Sequence, residues 1–155
     1  MERQLILTIG RQYGSNGHEI GVKLAQYLHV ECYDKAKLIQ ISKGTDHYEE
    51  MKAFYEERPV NSLLFAISMN QIQPHSHEIP FTRIQQLFQE KSGILIGRCG
   101  NAIFRKNQRA VRIFIHADPD IRQQRIAQWE QISLKKAARR MQEVDEERMA
   151  FHRYF

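Results

Sequence analysis

At 155 residues, 42% of them hydrophobic and 26% charged, the chain is long enough for one domain with a buried core and is not of a disordered composition. No uninterrupted apolar run approaches the roughly 18 residues of a membrane-spanning helix. The net charge of +5 favours anionic partners (nucleic acid, membrane phosphates or small anionic substrates), and the positions of the arginines must decide among them.

The run Leu5-Ile6-Leu7-Thr8-Ile9 predicts the first strand. A glycine-containing stretch from Gly10 to Gly21 follows, and Ile20, Leu24, Ala25 and Leu28 keep helical spacing. Val30-Glu31-Cys32-Tyr33 is a short extended run with Asp34 at its end, and residues 35–41 return to a helical period. Residues 43–59 are highly charged and read as a connection with a helical piece and few core residues. Residues 62–69 carry Leu63, Leu64, Ala66 and Ile67 at helical spacing. Residues 71–80, with two prolines and two histidines, read as a loop, and 82–90 as a helix on Ile84, Leu87 and Phe88. Gly93-Ile94-Leu95-Ile96 is an apolar strand ending in Gly97-Arg98, and Val111-Arg112-Ile113-Phe114-Ile115 is another. Residues 118–129 form a helix with Pro119 in its first turn. Ser133 opens a last helix that runs to the C-terminus.

Strands alternating with amphipathic helices predict an α/β domain, a parallel sheet with helices on both faces. Ligands of such sheets bind at the carboxyl ends of the strands. Here those ends carry the glycine loop, Asp34 and Arg98. Strand, glycine turn and helix is also the order in which backbone N–H groups converge on a phosphate. The spacing departs from a Walker A loop. With Gly17 as the last glycine of G-x-x-x-x-G-K-S/T, Gln12 stands where the first glycine belongs, His18 where the lysine belongs and Glu19 where the hydroxyl belongs. The dinucleotide pattern G-x-G-x-x-G fails as well. The alternative is a helix entry whose glycines serve turn geometry alone.

Gly10-Arg11-Gln12-Tyr13-Gly14-Ser15-Asn16-Gly17-His18-Glu19-Ile20-Gly21, Cys32-Tyr33-Asp34-Lys35 and Ile94-Leu95-Ile96-Gly97-Arg98-Cys99 resemble the cytidylate kinase-like family of P-loop proteins. So do residues 111–126, and 132–148 with Arg153-Tyr154 after them. The resemblance covers most of the chain and is weakest over about residues 43–90. It implies a single domain over residues 1–155 with a nucleoside-monophosphate-kinase fold. That fold has a three-layer parallel-sheet core, a helical substrate-binding insertion at 43–90 and a lid at 130–142. The sequence stops at Phe155, before the family's usual last strand and helix. The implied activity is transfer of a phosphoryl group from ATP, with Mg²⁺, to a nucleoside monophosphate, a pyrimidine one by expectation. The alternative is a nucleotide- or anion-binding module that has lost turnover.

On this resemblance Gly14, Ser15, Asn16, Gly17, His18 and Glu19 are the nucleotide-binding candidates. Arg98, Asp34, Arg122, Arg125, Arg139 and Arg140 are the catalytic candidates, since such transfer needs positioning and charge neutralisation. Arg11, Asp34, Arg98, Asp145 and Arg148 are the acceptor-binding candidates. Arg122 and Arg125 share one helix face. Arg139 and Arg140 lie in the lid or, alternatively, on a solvated helix face. Asp145 and Arg148 have the D-x-x-R spacing of a substrate motif, or form a surface ion pair. Asp34 either serves the site through water-held Mg²⁺ or caps the helix after it.

Other chemistries have less support. His75 and His77 are two apart in a loop, and Cys32 and Cys99 lack nearby partners, so neither a zinc site nor a disulfide framework is expected. Ser15 is not in a G-x-S-x-G elbow. No recognised nucleic-acid motif is present. Phe151, Tyr154 and Phe155 could stack bases as a single-strand binder does, but read more readily as the apolar face of a terminal helix, with docking on a partner subunit of a homodimer as a further expectation. Met1-Glu2-Arg3-Gln4 carries no secretory pattern, and the expected setting is the cytoplasm, with small-molecule nucleotides as partners.

Overall fold

Residues 4–57 and 78–155 are described by the computed structural model. In chain order the elements are β1 (Ile6–Arg11), α1 (Gly17–Tyr27), β2 (Glu31–Tyr33), α2 (Lys35–Ser42), α3 (Tyr48–Tyr55), α4 (Glu78–Leu87), β3 (Gly93–Ile96), α5 (Gly100–Ile103), β4 (Ala110–Ile115), α6 (Pro119–Glu130) and α7 (Leu134–Tyr154). The four strands form one parallel sheet in the order β2-β3-β1-β4. Ile6 of β1 pairs with Gly93 on one side and Ala110 on the other. This is the α/β fold that the alternation of strands and helices predicts. The expected helix of 62–69, and His75 and His77, lie outside the described residues.

Side chains alternate between the sheet faces, as strand geometry requires. Leu7, Ile9, Ile94 and Ile96 meet Ala25, Val22 and Leu24 of α1 on one face. Ile6 and Leu95 point to the other face, where Leu38, Met51, Tyr55, Ile84, Phe88 and Phe104 complete the larger core. Both faces of the central strands β1 and β3 are therefore apolar and covered, while the edge strand β4 leaves Val111, Ile113 and Phe114 exposed.

Three readings of the sequence are corrected here. Residues 43–59 are not poor in core residues: Met51, Phe54 and Tyr55 of α3 are all at most 6% exposed. Their spacing of three and four puts them on one helix face, and the charges around them cover the opposite one. Residues 78–80, read as loop, belong to α4, with Pro80 buried. Phe151 and Phe155 serve the chain's own core. Phe151 and Phe155 pack on Phe54 with ring centroids 5.4 and 5.3 Å away, and Phe155 also meets Phe81 at 5.7 Å.

The helix ends follow from their capping residues. Asp118 accepts the Asp120 N–H at 2.9 Å ahead of α6, and Ser133 caps α7 through the Lys136 N–H. The expected lid segment, 130–142, forms the turn between these helices and the first half of α7, where Ala137 is fully buried. No described helix is long and apolar enough to cross a membrane.

Candidate functional site

Because β1, β2 and β3 are parallel, the residues after each strand gather at one edge of the sheet. There the chain encloses a cleft of ≈ 980 Å³ lined by the glycine loop, Asp34, Arg98 and residues of α7. Gly14 has φ +78°, a left-handed conformation that costs a side-chain-bearing residue about 1–2 kcal/mol. A Cβ there would also lie 2.8 Å from the Arg122 carbonyl oxygen. Asn16 is left-handed too, at φ 63°, and turns the chain into α1. Among the described residues the N–H groups of Gly14, Asn16, His18 and Glu19 have no acceptor. They belong to residues lining the cleft, ahead of a helix N-terminus, which is an arrangement that suits an anion.

The loop is held in that shape from behind. Arg122 Nη1 donates to the Tyr13 carbonyl at 3.1 Å, Arg125 Nη1 to the Gly14 carbonyl at 3.1 Å and Arg148 Nη1 to the Arg11 carbonyl at 3.2 Å. Asp145 Oδ1 accepts the Tyr13 N–H at 2.8 Å, and its Oδ2 accepts from Arg122 Nη1 at 2.6 Å. Guanidinium groups thus bind the loop's carbonyl oxygens. Arg122, Arg125 and Asp145 bond the loop backbone or one another, and none of the three lines this cleft. Ser15 is internal as well: its hydroxyl donates to the Gln12 carbonyl at 2.8 Å and accepts the Gly17 N–H at 3.3 Å.

His18 and Asp34 meet across the cleft, Nε2 to Oδ2, at 2.9 Å. The other Asp34 oxygen accepts the Lys37 N–H at 2.9 Å, so Asp34 caps α2 and holds His18 together. Burial pushes the Asp34 carboxyl up, but the Lys37 N–H and His18 outweigh it and leave the group below its ordinary value. Glu19 lines the cleft mouth with its carboxylate paired to Lys23 at 2.8 Å. Both carboxylates beside the loop are therefore engaged. Among the described residues no group of three or more His, Cys, Asp or Glu side chains is placed to hold a metal ion. Mg²⁺ binding in nucleotide sites relies largely on the substrate's phosphates.

Arg11, Arg98 and Arg148 form the cationic wall of the cleft. Gly97, Arg98 and Cys99 all have positive φ, 72°, 56° and 55°, so the chain coils left-handed as it leaves β3. This swings the Arg98 side chain into the interior, 4% exposed, where it donates to the Tyr55 carbonyl. Glu57, the residue after the C-cap of α3, faces the same group. Its Oε1 accepts the Arg98 N–H at 3.0 Å, its Oε2 lies 3.5 Å from Arg98 Nη1, and Arg11 Nη1 is 3.8 Å from Oε1. Burial raises the Glu57 carboxyl, but Arg98 and Arg11 overcome this and hold it below its ordinary value. Burial, then Arg11, pulls Arg148 down to about 10, still cationic at neutral pH.

At the rim Arg140 reaches Glu130 at 3.5 Å, and Glu130 also accepts from the Tyr13 hydroxyl. Arg139 is exposed and does not line the cleft. Sequence reasoning missed two site residues. Glu57 sits in no motif and becomes visible only once Arg98 turns inward. Trp129 lines the cleft with its indole 54% exposed, and an apolar aromatic left open on an amphipathic helix was the available signal.

The profile of the cytidylate kinase-like family matches residues 6–155. The chain belongs to that family. A solved structure of similar fold is the crystal structure of an uncharacterized protein from Eubacterium ventriosum. It is 25% identical, with a TM-score of 0.73, over 99% of this chain and 80% of that one. No curated protein sequence matches. Membership of the family makes this a nucleotide kinase-like protein.

Proposed function

We propose that the protein transfers the γ-phosphoryl group of ATP to a nucleoside monophosphate, a pyrimidine one by expectation. The observation that carries this reading is the pairing, in one cleft, of two anion-binding features of different build. One is the set of unpaired N–H groups at the glycine loop. The other is the Arg11–Arg98–Arg148 wall. Two phosphorylated substrates need two such features, placed so that their reacting oxygens meet.

In this reading ATP enters as its Mg²⁺ complex and the loop N–H groups of Gly14, Asn16, His18 and Glu19 hold its phosphates. Arg98 and Arg11 hold the acceptor phosphate, Arg148 adds positive charge, and Arg140 on α7 closes over the donor. Trp129 gives the nucleotide base a flat face to stack on. An oxygen of the acceptor phosphate attacks the γ-phosphorus, and the bond from that phosphorus to the β–γ bridging oxygen breaks. ADP leaves with that electron pair, and the acceptor becomes a nucleoside diphosphate. The arginines balance the charge shared between the oxygens as the transfer proceeds.

A second reading has its own observation. His18 stands in the lysine position and its imidazole is tied to Asp34, so no free point charge faces the donor's terminal phosphates from the loop. A module that binds nucleotide without turnover fits that geometry. ADP formation with a panel of ribo- and deoxyribonucleoside monophosphates, with and without Mg²⁺, separates the two. The kinase reading expects ADP only when both Mg²⁺ and an acceptor are present, and its loss in Arg98→Ala. If ATP binds but no acceptor raises ADP above background, the binding module stands.

A further inference from the structure

Glu57 has no part in the transfer step, yet it is the carboxylate in the middle of the arginine wall. Among the described residues the partners of its carboxylate are donors of the kind that binds phosphate: the Arg98 N–H at 3.0 Å, Arg98 Nη1 at 3.5 Å and Arg11 Nη1 at 3.8 Å. We infer that Glu57 stands in for the acceptor's phosphate in the free protein, and that an incoming phosphate monoester displaces it. The inference rests on reading this wall as the acceptor's phosphate site.

Two further observations support displacement over permanent occupancy. Arg98 Nε is buried with no partner among the described residues, on a side chain only 5% exposed. A carboxylate has two oxygens to offer this cradle. A phosphate monoester offers three, with close to two negative charges at neutral pH, and can satisfy the group that Glu57 leaves unpaired. Glu57 also lines both the main cleft and a second cavity of ≈ 490 Å³ that shares Arg11, Arg98 and Arg148 with it, so space adjoins Glu57 for exchange.

While the site is empty, Glu57 compensates the buried Arg98 and its neighbour Arg11, which would otherwise carry uncompensated charge. When the acceptor arrives, the same contacts pass to it. Glu57 therefore lowers acceptor affinity and keeps the arginines in place between turnovers.

The test is calorimetric binding of inorganic phosphate and of CMP to the wild type, Glu57→Gln and Glu57→Ala, with circular dichroism to check folding. Displacement predicts tighter binding of both probes to the folded variants, by about tenfold, as loss of a charged competitor gives. Unchanged or weaker binding in a folded variant overturns the inference. Should both variants unfold, the wild type decides: the Glu57 side-chain carboxyl carbon, assigned by NMR, must shift as phosphate saturates the protein. A carboxyl signal that stays put at saturation, or no binding of phosphate at all, also overturns it. Because neither probe reports turnover, tighter binding in Glu57→Gln with no ADP formed would remove the kinase reading and leave the displacement intact.

Discussion

Asp145 separates the structure from the motif it was read in. In a D-x-x-R substrate motif Asp145 would touch the acceptor, and its loss would weaken acceptor binding without affecting the fold. In the structure it joins the Tyr13 N–H at 2.8 Å to Arg122 Nη1 at 2.6 Å. Asp145→Asn can keep the first contact, but its amide NH₂ then faces the Arg122 guanidinium, donor against donor. Arg122 is 7% exposed at its side chain, and its Nε already lacks a partner among the described residues. Breaking a fully buried pair costs about 3–5 kcal/mol. The 20% exposure of the Asp145 side chain admits some water, so about 2–3 kcal/mol is expected here, closer to the loss of one charged hydrogen bond. For a chain of this length that lowers Tm by roughly 4–12 °C. ATP affinity should fall with it, because Tyr13 is no longer held with its carbonyl turned to the back by Arg122. Thermal denaturation and ATP titration are the assays. A variant within about 0.5 kcal/mol of wild type, the range of a featureless surface change, with ATP affinity intact and acceptor binding lost, would refute the reasoning and restore the substrate-contact role.

Other outcomes follow from single features of the site. Gly14→Ala forces a Cβ to 2.8 Å from the Arg122 carbonyl at φ +78°; it should cost more than the ~1–2 kcal/mol of handedness alone and abolish ATP binding, measured by denaturation and calorimetry. Asp34 is held below its ordinary pKa of 3.8, so its contribution to stability is complete above that value and is lost as pH falls through the folded-state value. Urea melts below pH 4 should therefore show a steeper acid loss in wild type than in Asp34→Asn, whose amide oxygen can keep the cap on the Lys37 N–H but does not titrate. Trp129 is the only tryptophan of the sequence, so ATP binding should change the intrinsic fluorescence, and Trp129→Ala should weaken ATP binding in a calorimetric titration. Phe151→Ala, at a ring 1% exposed, should cost about 3–5 kcal/mol in chemical denaturation, a large share of a typical domain's stability.

The elements that sequence reasoning located well are those whose signals are local. Ser133 and Asp118 cap their helices through their own side chains, and Gly93–Ile96 is apolar on both faces because both faces are covered. Residues 43–59 misled because charge was counted over the whole segment, whereas Met51, Phe54 and Tyr55 needed only one face of one short helix. The glycine loop poses a harder problem. Its order along the chain points to an anion site, but the same order brings arginines from α6 and α7 against it. An arginine finds the same chemistry in a loop carbonyl as in a phosphate oxygen, an acceptor within about 3 Å. Spacing says that Arg122 and Arg125 share a face; it does not say whether that face meets the ligand or the back of the loop. That depends on how α6 docks, and docking is set by Ile126 and Ala137, each fully buried between α6, α7 and the rest of the fold. Arg98 shows the converse. Its position after Gly97 was readable, but its inward turn needs left-handed backbone at three successive residues, two of them not glycine, and nothing local favours that at Arg98 and Cys99. What stabilises it is Glu57 and the Tyr55 carbonyl, about forty residues away in sequence. A motif therefore reports which residues gather at a site. Which of them bind ligand, and which bind the residues that do, is decided by contacts between segments far apart in the chain.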